Sequence, residues 1–315
     1  MEISVIIPVY NAVPYLEKAI RSVLIQEEVK EIILVEDGSI DDSLRICKQL
    51  KGESTKIKLF RHPKGQNRGA GSSRNLGLEK AESRYIAFLD ADDYYLPNRF
   101  AVTKRVFADQ PDADGVYEAL GVDFRDKEGK VRFLMAKRGA IHHISNQLLT
   151  TINKRVSPEN LLLFYLKGNI GYFSLNGLTI KKSILNKTGK FSSYLKLAQD
   201  TLFIEKLMYA GRLYPGSITK AIAMRGVHQG NRSTADEKEI ILYRLKAKRE
   251  LFLWLVEQKA PGYLLRNLFL TFLKARYPET FLFKASHKFL KGLVLLAALL
   301  EMVFTCPRIC LKLFR

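Results

Sequence analysis

The sequence predicts an α/β fold built on a mostly parallel sheet covered on both faces, and three observations carry that expectation. Short apolar runs of strand length recur through the first hundred residues, amphipathic stretches of helical length separate them, and the runs are apolar on both faces. In such sheets ligands sit beyond the carboxyl ends of the strands, so the residues that close each strand are the ones to examine.

Taken in order, ISVIIPV at 3–9 is a strand without alternation, and a helical pattern follows at 13–26. EIILVE at 31–36 is the second strand, then a helix at 42–50, a strand at 57–61 and a helix at 72–81. The run at 85–90 is the fourth strand. From residue 115 the pattern thins. Residues 116–124 and 131–135 flank Lys127-Glu128-Gly129-Lys130 and are expected to form an antiparallel hairpin about that turn. Helices are expected at 158–166 and 200–209, with strands near 178–180 and 218–224. From about residue 234 the chain is helical and basic, which divides it into a first domain at 1–234 and a basic, apolar helical region at 235–315.

A hydrophobic content of 47% in 315 residues is ample for a core. The formal charge of +19, from 51 Lys and Arg against 32 Asp and Glu, implies an anionic partner. Cys47, Cys306 and Cys310 form no zinc pattern, and their odd number argues against a disulfide framework, so a reducing compartment is expected. The chain enters strand pattern at Glu2 with no signal-like segment, so secretion is not expected. The longest uncharged apolar stretch, 292–300, is well short of the ~20 residues of a spanning helix, and none is expected.

The strand ends are unusually polar. The first closes in Pro8-Val9-Tyr10-Asn11, the second in Glu36-Asp37-Gly38-Ser39 and the fourth in Asp90-Ala91-Asp92-Asp93. If the fourth strand stays extended, Asp90 and Asp92 share one side and Asp93 takes the other. Two hard oxygen ligands at a ligand-binding edge suit Mg²⁺ or Mn²⁺, with substrate phosphates completing the shell. An Asp37 carboxylate accepting from a base N–H, and a Tyr10 ring stacked on that base, are ways to hold a nucleotide; Asp37-Gly38 also reads as a plain turn.

SVIIPVYN at 4–11, ILVEDGSIDDS at 33–43, NRGAGSSRNLG at 67–77 and YIAFLDADD at 85–93 together resemble the family 2 glycosyltransferases of the GT-A fold, in order and at suitable spacing. The resemblance covers the first hundred residues. It implies a GT-A fold with a mixed, mostly parallel sheet and an inverting transfer of a sugar from a nucleotide-diphosphate donor, usually a UDP-sugar, to an acceptor hydroxyl. It also implies that Tyr10 and Asp37 hold the base with Glu36 beside them, and that Pro8, Asn11 and Ala91 line the donor nucleotide. Asp92 matches the direct metal ligand and Asp90 the ribose or outer partner of the metal. Asp93 has no settled role and is left to cap or face solvent. Arg74 and Asn75 match a donor-site pair, in which Arg74 either contacts the nucleotide or braces the Asp37 loop.

An inverting displacement needs a base for the acceptor hydroxyl. The family supplies it from a Glu-Asp or related pair at a helix start, which LKLAQDTLF at 195–203 matches with Gln199 in place of the glutamate. Asp200 is therefore the expected base; the same residue type also suits an ordinary N-cap. MRGVHQGNRST at 224–234 resembles the family's basic loop over the donor diphosphate. There His228 either ligates the metal or bonds a phosphate oxygen, and Arg225 or Arg232 neutralises the leaving group.

The tail from residue 261 sets Lys284, Lys288 and Lys291 at helical spacing beside Phe281, Leu282, Phe283 and the apolar run 293–300. That suits a helix lying in an anionic bilayer surface, or one packed on the protein. The expectation is a cytoplasmic enzyme, peripheral at the inner membrane face, acting on a glycan or lipid-linked acceptor. A sugar-phosphate nucleotidyltransferase would carry a glycine-rich phosphate loop after the first strand, where Tyr10-Asn11-Ala12-Val13-Pro14 stands. A nucleic-acid-binding protein would explain the charge, but no recognisable motif for one is present.

Overall fold

The computed structural model describes residues 1–136, 142–144, 147–231 and 237–276. The chain divides into two compact units, Met1–Thr234 and Ala235–Arg315.

In the first unit β1 (Ile3–Val9) has five apolar residues with no exposure, which places it mid-sheet with both faces covered. Helix α1 (Val13–Leu24) carries Pro14 in its first turn and buries Leu16, Ala19, Ile20 and Val23, one stripe at helical spacing. Next come β2 (Val29–Glu36), α2 (Ser43–Glu53), β3 (Ile57–Arg61), α3 (Gly69–Lys80) and β4 (Tyr85–Phe88). These agree with the sequence expectation to within a few residues at each end.

The short β5 (Tyr94–Tyr95) follows, then α4 (Ala101–Asp109), β6 (Gly115–Tyr117) and β7 (Leu120–Phe124). The expected hairpin does not form: 127–136 is a helix, α5 (Lys127–Ala136). Asp126 caps it, its Oδ1 accepting the Gly129 N–H at 2.6 Å, so the residues read as a turn are the first helical turn. Phe133 then packs inward against Phe124, ring centroids 5.7 Å apart.

The unit continues with β8 (His142–Ile144), β9 (Gln147–Leu149), α6 (Pro158–Leu166), β10 (Leu178–Lys181), α7 (Leu185–Thr188), α8 (Gln199–Ala210), β11 (Leu213–Pro215) and β12 (Ala223–Val227). The strand expected at 218–224 thus forms later, at β12.

The main sheet has the order β11-β6-β10-β4-β1-β2-β3. Its pairs are parallel except on either side of β10, which runs antiparallel to both β4 and β6. A second sheet, β5-β12-β7, pairs β12 in parallel with β7 and antiparallel with β5. It brings the end of β12 over the end of β4.

The described part of the second unit is two helices, α9 (Glu237–Glu257) and α10 (Gly262–Arg276). No helix among the described residues is long and apolar enough to cross a membrane. The lysine stripe at 284, 288 and 291 lies outside the described residues, as do Cys306 and Cys310.

Candidate active site

β4 ends at Phe88 and the chain then turns, the Asp93 N–H donating to the Asp90 carbonyl at 3.0 Å. The extended conformation that would have split the aspartates between two sides does not persist. The turn gathers them instead, so that one oxygen each from Asp90, Asp92 and Asp93 lies within 4.8 Å of the others.

Their surroundings set the three apart. Half-exposed Asp90 accepts from Arg74 Nη2 at 2.6 Å, a contact that belongs to neither role expected of Arg74. Asp92 Oδ2 meets Asn231 Nδ2 at 2.9 Å and His228 Nε2 at 3.3 Å. Burial pushes the Asp92 carboxyl up, but the His228 hydrogen bond and the nearby positive charge outweigh it and hold the group below the ordinary aspartate value. Asp93, expected to cap or face solvent, is 4% exposed and accepts from the Gly226 N–H at 2.8 Å and from the Asn176 amide. Burial, then the charges of Asp92 and Asp90, push its carboxyl well above the ordinary range.

Around them stand cations and rings. The His228 and Tyr15 ring centroids lie 4.6 Å apart, and the Arg125 guanidinium sits 4.2 Å from the Tyr15 centroid while Nη2 donates to the Asp92 carbonyl at 2.7 Å. Arg225, on β12, draws the carboxyls of Asp92 and Asp93 downward by its charge. Arg232 lies outside the described residues. Hard oxygen donors at this spacing, with an imidazole beside them, fit a divalent cation of the Mg²⁺ or Mn²⁺ kind.

The expected base-binding residues form a brace. Glu36, fully buried, accepts from the Ser39 N–H and, at 2.6 Å, from Arg61 Nε. Asp37 accepts from the backbone N–H groups of Arg68 at 2.7 Å and Gly69 at 2.9 Å, holding the loop that opens α3. Gly38 takes φ +74, and a β-carbon there would stand 2.5 Å from the Gly65 carbonyl oxygen, so only glycine lets these loops meet. Asn11 ties β1 to β2, its Oδ1 accepting the Ile40 N–H at 3.0 Å and its own N–H donating to Ser39 Oγ at 3.1 Å. Tyr10 beside it is exposed, Pro8 is half-buried and Ala91 is buried in the aspartate turn. Asn75 spends its amide on Phe191, donating to the carbonyl and accepting the N–H, both at 2.9 Å. That clasp braces α3 and is a different task from the nucleotide contact expected of it.

Asp200 is the second residue of α8 and is exposed; Ala198, in a left-handed conformation at φ +60, holds the N-cap position. Asp200 is therefore not the cap, although it stands in the first turn, where the helix favours a negative charge. A β-carbon at Gly71 of α3 would stand 3.2 Å from Gln199 Cγ, so α8 starts against the helix that supplies Arg74. Tyr15, Arg125 and Asn176 were missed by the sequence reading. Arg125 directly follows β7, where the strand-end rule would have found it had β7 been paired with β12 instead of with 131–135.

A mostly parallel α/β sheet with polar groups massed at the carboxyl ends of β1, β2 and β4 defines a GT-A nucleotide-sugar transferase fold. The chain belongs to glycosyl transferase family 2, whose profile matches residues 4–196. The matched region is a glycosyltransferase domain, which the nucleotidyltransferase reading does not fit. An uncharacterized glycosyltransferase of Haemophilus influenzae is 46% identical over 93 residues, 29% of this chain and 36% of that protein. The minor teichoic acid biosynthesis protein GgaA of Bacillus subtilis is 30% identical over 219 residues, 67% of this chain and 44% of that one. The chain thus spans less than half the length of these relatives. Among solved structures, S. aureus TarS in complex with UDP-GlcNAc matches with a TM-score of 0.66 at 19% identity, over 98% of this chain and 82% of that chain. The mannosyltransferase PcManGT from Pyrobaculum calidifontis, in complex with GDP-Man and Mn²⁺, matches at 0.53 and 16%, over 96% and 80%. At such identities the likeness is one of fold.

Proposed function

We propose that the enzyme transfers a sugar, with inversion, from a nucleotide-diphosphate donor to a hydroxyl of a glycan or lipid-linked acceptor in the synthesis of a cell-surface polysaccharide or glycolipid. A UDP-sugar is the favoured donor. The reading is carried by the aspartate turn, where three carboxylates converge beside His228 at the ligand-binding edge of the sheet. The UDP-GlcNAc bound to TarS supports the donor class, and the teichoic acid role in the name of GgaA supports the surface polymer.

Asp92, Asp90 and His228 would hold Mn²⁺ or Mg²⁺. When bound, such an ion supplies positive charge against the departing diphosphate. Arg225 and Arg232 add to that charge. Tyr10 stacks on the base, and Asp37 keeps the adjoining loop in place for it. Asp200 takes the acceptor proton as the acceptor oxygen bonds to the anomeric carbon and the carbon–phosphate-oxygen bond breaks, its electron pair leaving with the nucleoside diphosphate. The protein works on the cytoplasmic side, peripheral at an anionic membrane surface through its basic carboxyl-terminal region. Truncation after residue 280 should then move it from membranes to the soluble fraction, and an unchanged distribution would count against that role.

The decisive experiment is a hydrolysis screen across UDP- and GDP-sugars with and without Mn²⁺. Slow, Mn²⁺-dependent hydrolysis of a UDP-sugar is expected. No hydrolysis of any donor, with no rise in melting temperature from UDP or GDP plus Mn²⁺, would overturn the donor assignment.

A further inference from the structure

Asn176 lies in the short turn Leu175–Gly177 that leads into β10. Because β10 runs antiparallel to β4, its start meets the end of β4. Thr179 stands opposite Ala87 and Ile180 opposite Ile86, and the same register carried toward the turn sets Asn176 opposite Asp90. There the side chain, 1% exposed, uses both of its ends. Oδ1 accepts the Asp90 N–H at 3.1 Å, and Nδ2 donates to the Asp93 carboxylate.

The residue is itself held firmly. Its N–H donates to Ser174 Oγ at 3.4 Å, and its carbonyl accepts from Arg99 Nη2 at 3.5 Å. Arg99 is fully buried against Glu118, the Nη1–Oε2 distance being 2.5 Å. Asp93 is gripped again by the Gly226 N–H of β12, so the turn is pinned between the start of one strand and the end of another.

We propose that Asn176 is the positioning residue of the cation site. By tying the Asp90 N–H to the Asp93 carboxylate, it fixes the turn from which Asp90 and Asp92 present their oxygens, and so sets the affinity for the divalent ion without touching it. The proposal rests on the metal reading above. Its chemical logic is that three crowded carboxylates repel one another, and a loop that carries them opens unless something neutral holds it. A carboxamide offers an acceptor and a donor on one rigid plane without adding charge. Aspartate at this position would lose the donor and bring a fourth carboxylate; alanine would lose both contacts. Partners of this kind, one step removed from an ion, shift metal affinity about 10- to 100-fold when replaced.

The test is a Mn²⁺ titration of the full-length protein without substrate, read by the electron paramagnetic resonance of free Mn²⁺. Wild type, N176A, N176D and D92N are compared, with melting temperatures and the Mn²⁺ dependence of donor hydrolysis measured alongside. For N176A and N176D the Mn²⁺ dissociation constant should rise about 10- to 100-fold, while kcat at saturating Mn²⁺ returns to within ~3-fold of wild type. An unchanged dissociation constant with a lowered melting temperature would reduce Asn176 to a folding role. Loss of kcat that Mn²⁺ does not restore would also overturn the proposal. If D92N binds Mn²⁺ as wild type does, the metal reading itself fails; if D92N loses binding and the Asn176 variants keep it, only the present proposal fails. Should N176A not fold, N176S carries the same test, since serine cannot span both partners.

Discussion

Asp92 and His228 stand 136 residues apart in the sequence and meet at 3.3 Å, one at the end of β4 and the other just past β12. The contact joins the two sheets at the edge where the donor diphosphate is proposed to lie. Each side has its own support: Asn231 also bonds Asp92, and Tyr15 packs on His228.

Replacing Asp92 or Asp200 by Asn should cut transfer by at least about 10²-fold, the usual scale for removing a general base or a charge-stabilising group. Circular dichroism and melting should show a folded protein in both cases. Turnover within a few-fold of wild type in either variant would strip that residue of its role.

Asp37→Ala should destabilise the fold by about 3 kcal/mol, because the backbone N–H groups of Arg68 and Gly69 lose their acceptor. Asp37→Asn keeps one acceptor oxygen and should cost less. Urea denaturation distinguishes the two, and equal losses would show that one retained oxygen does not hold the loop and that the brace needs both.

Glu31 gives the fold a defined acid sensitivity. Burial pushes its carboxyl up, but hydrogen bonds from Lys58, Ser4 and the Glu82 N–H outweigh burial and leave it below its ordinary value of 4.5. A carboxylate lowered in the folded state contributes fully above its unfolded value, and that contribution drains away as pH falls through the folded one. Glu31→Gln should therefore flatten the loss of stability below about pH 4.5 while lowering stability near neutrality. Denaturation midpoints between pH 3 and pH 7 would check this; parallel curves for the two proteins would refute it.

Cys47 should be inert in the native protein. It is fully buried, and burial first, then the charges of Glu36 and Asp41, push its thiol up to about 12. At pH 8 roughly one molecule in 10⁴ would carry the reactive thiolate. Peptide mapping after iodoacetamide treatment should find Cys47 unlabelled until urea unfolds the protein, and rapid native labelling would show that the α2 region opens.

Much of the first half was legible because parallel strands covered on both faces leave unbroken apolar runs, as in β1, and because α1 keeps its buried residues in one stripe. The aspartate cluster was legible as chemistry and illegible as geometry. Whether Asp90 to Asp93 runs straight or turns depends on Asn176 and Gly226, which arrive from elsewhere in the chain. The same holds for Asp37, whose partners in the Arg68 loop are backbone groups that no residue type announces. The α5 region was misread for a local reason. Lys127-Glu128-Gly129-Lys130 has the composition of a turn, and the cap that makes it helical is the side chain of the residue before it.

The antiparallel strand β10 has a consequence for how this protein is born. It sits between β4 and β6, so on the ribosome β4 keeps one edge open until residue 181 has emerged. The buried carboxylate of Asp93 waits longer, since its Gly226 partner lies 133 residues downstream. At ~5–20 residues per second that is an interval of about 7–27 s in which the nascent chain carries an unfinished, negatively charged loop, beside an unpaired strand for the earlier part of it. Completion of the aspartate turn is therefore among the last steps in making this domain, although its carboxylates are translated long before the strand that closes over them.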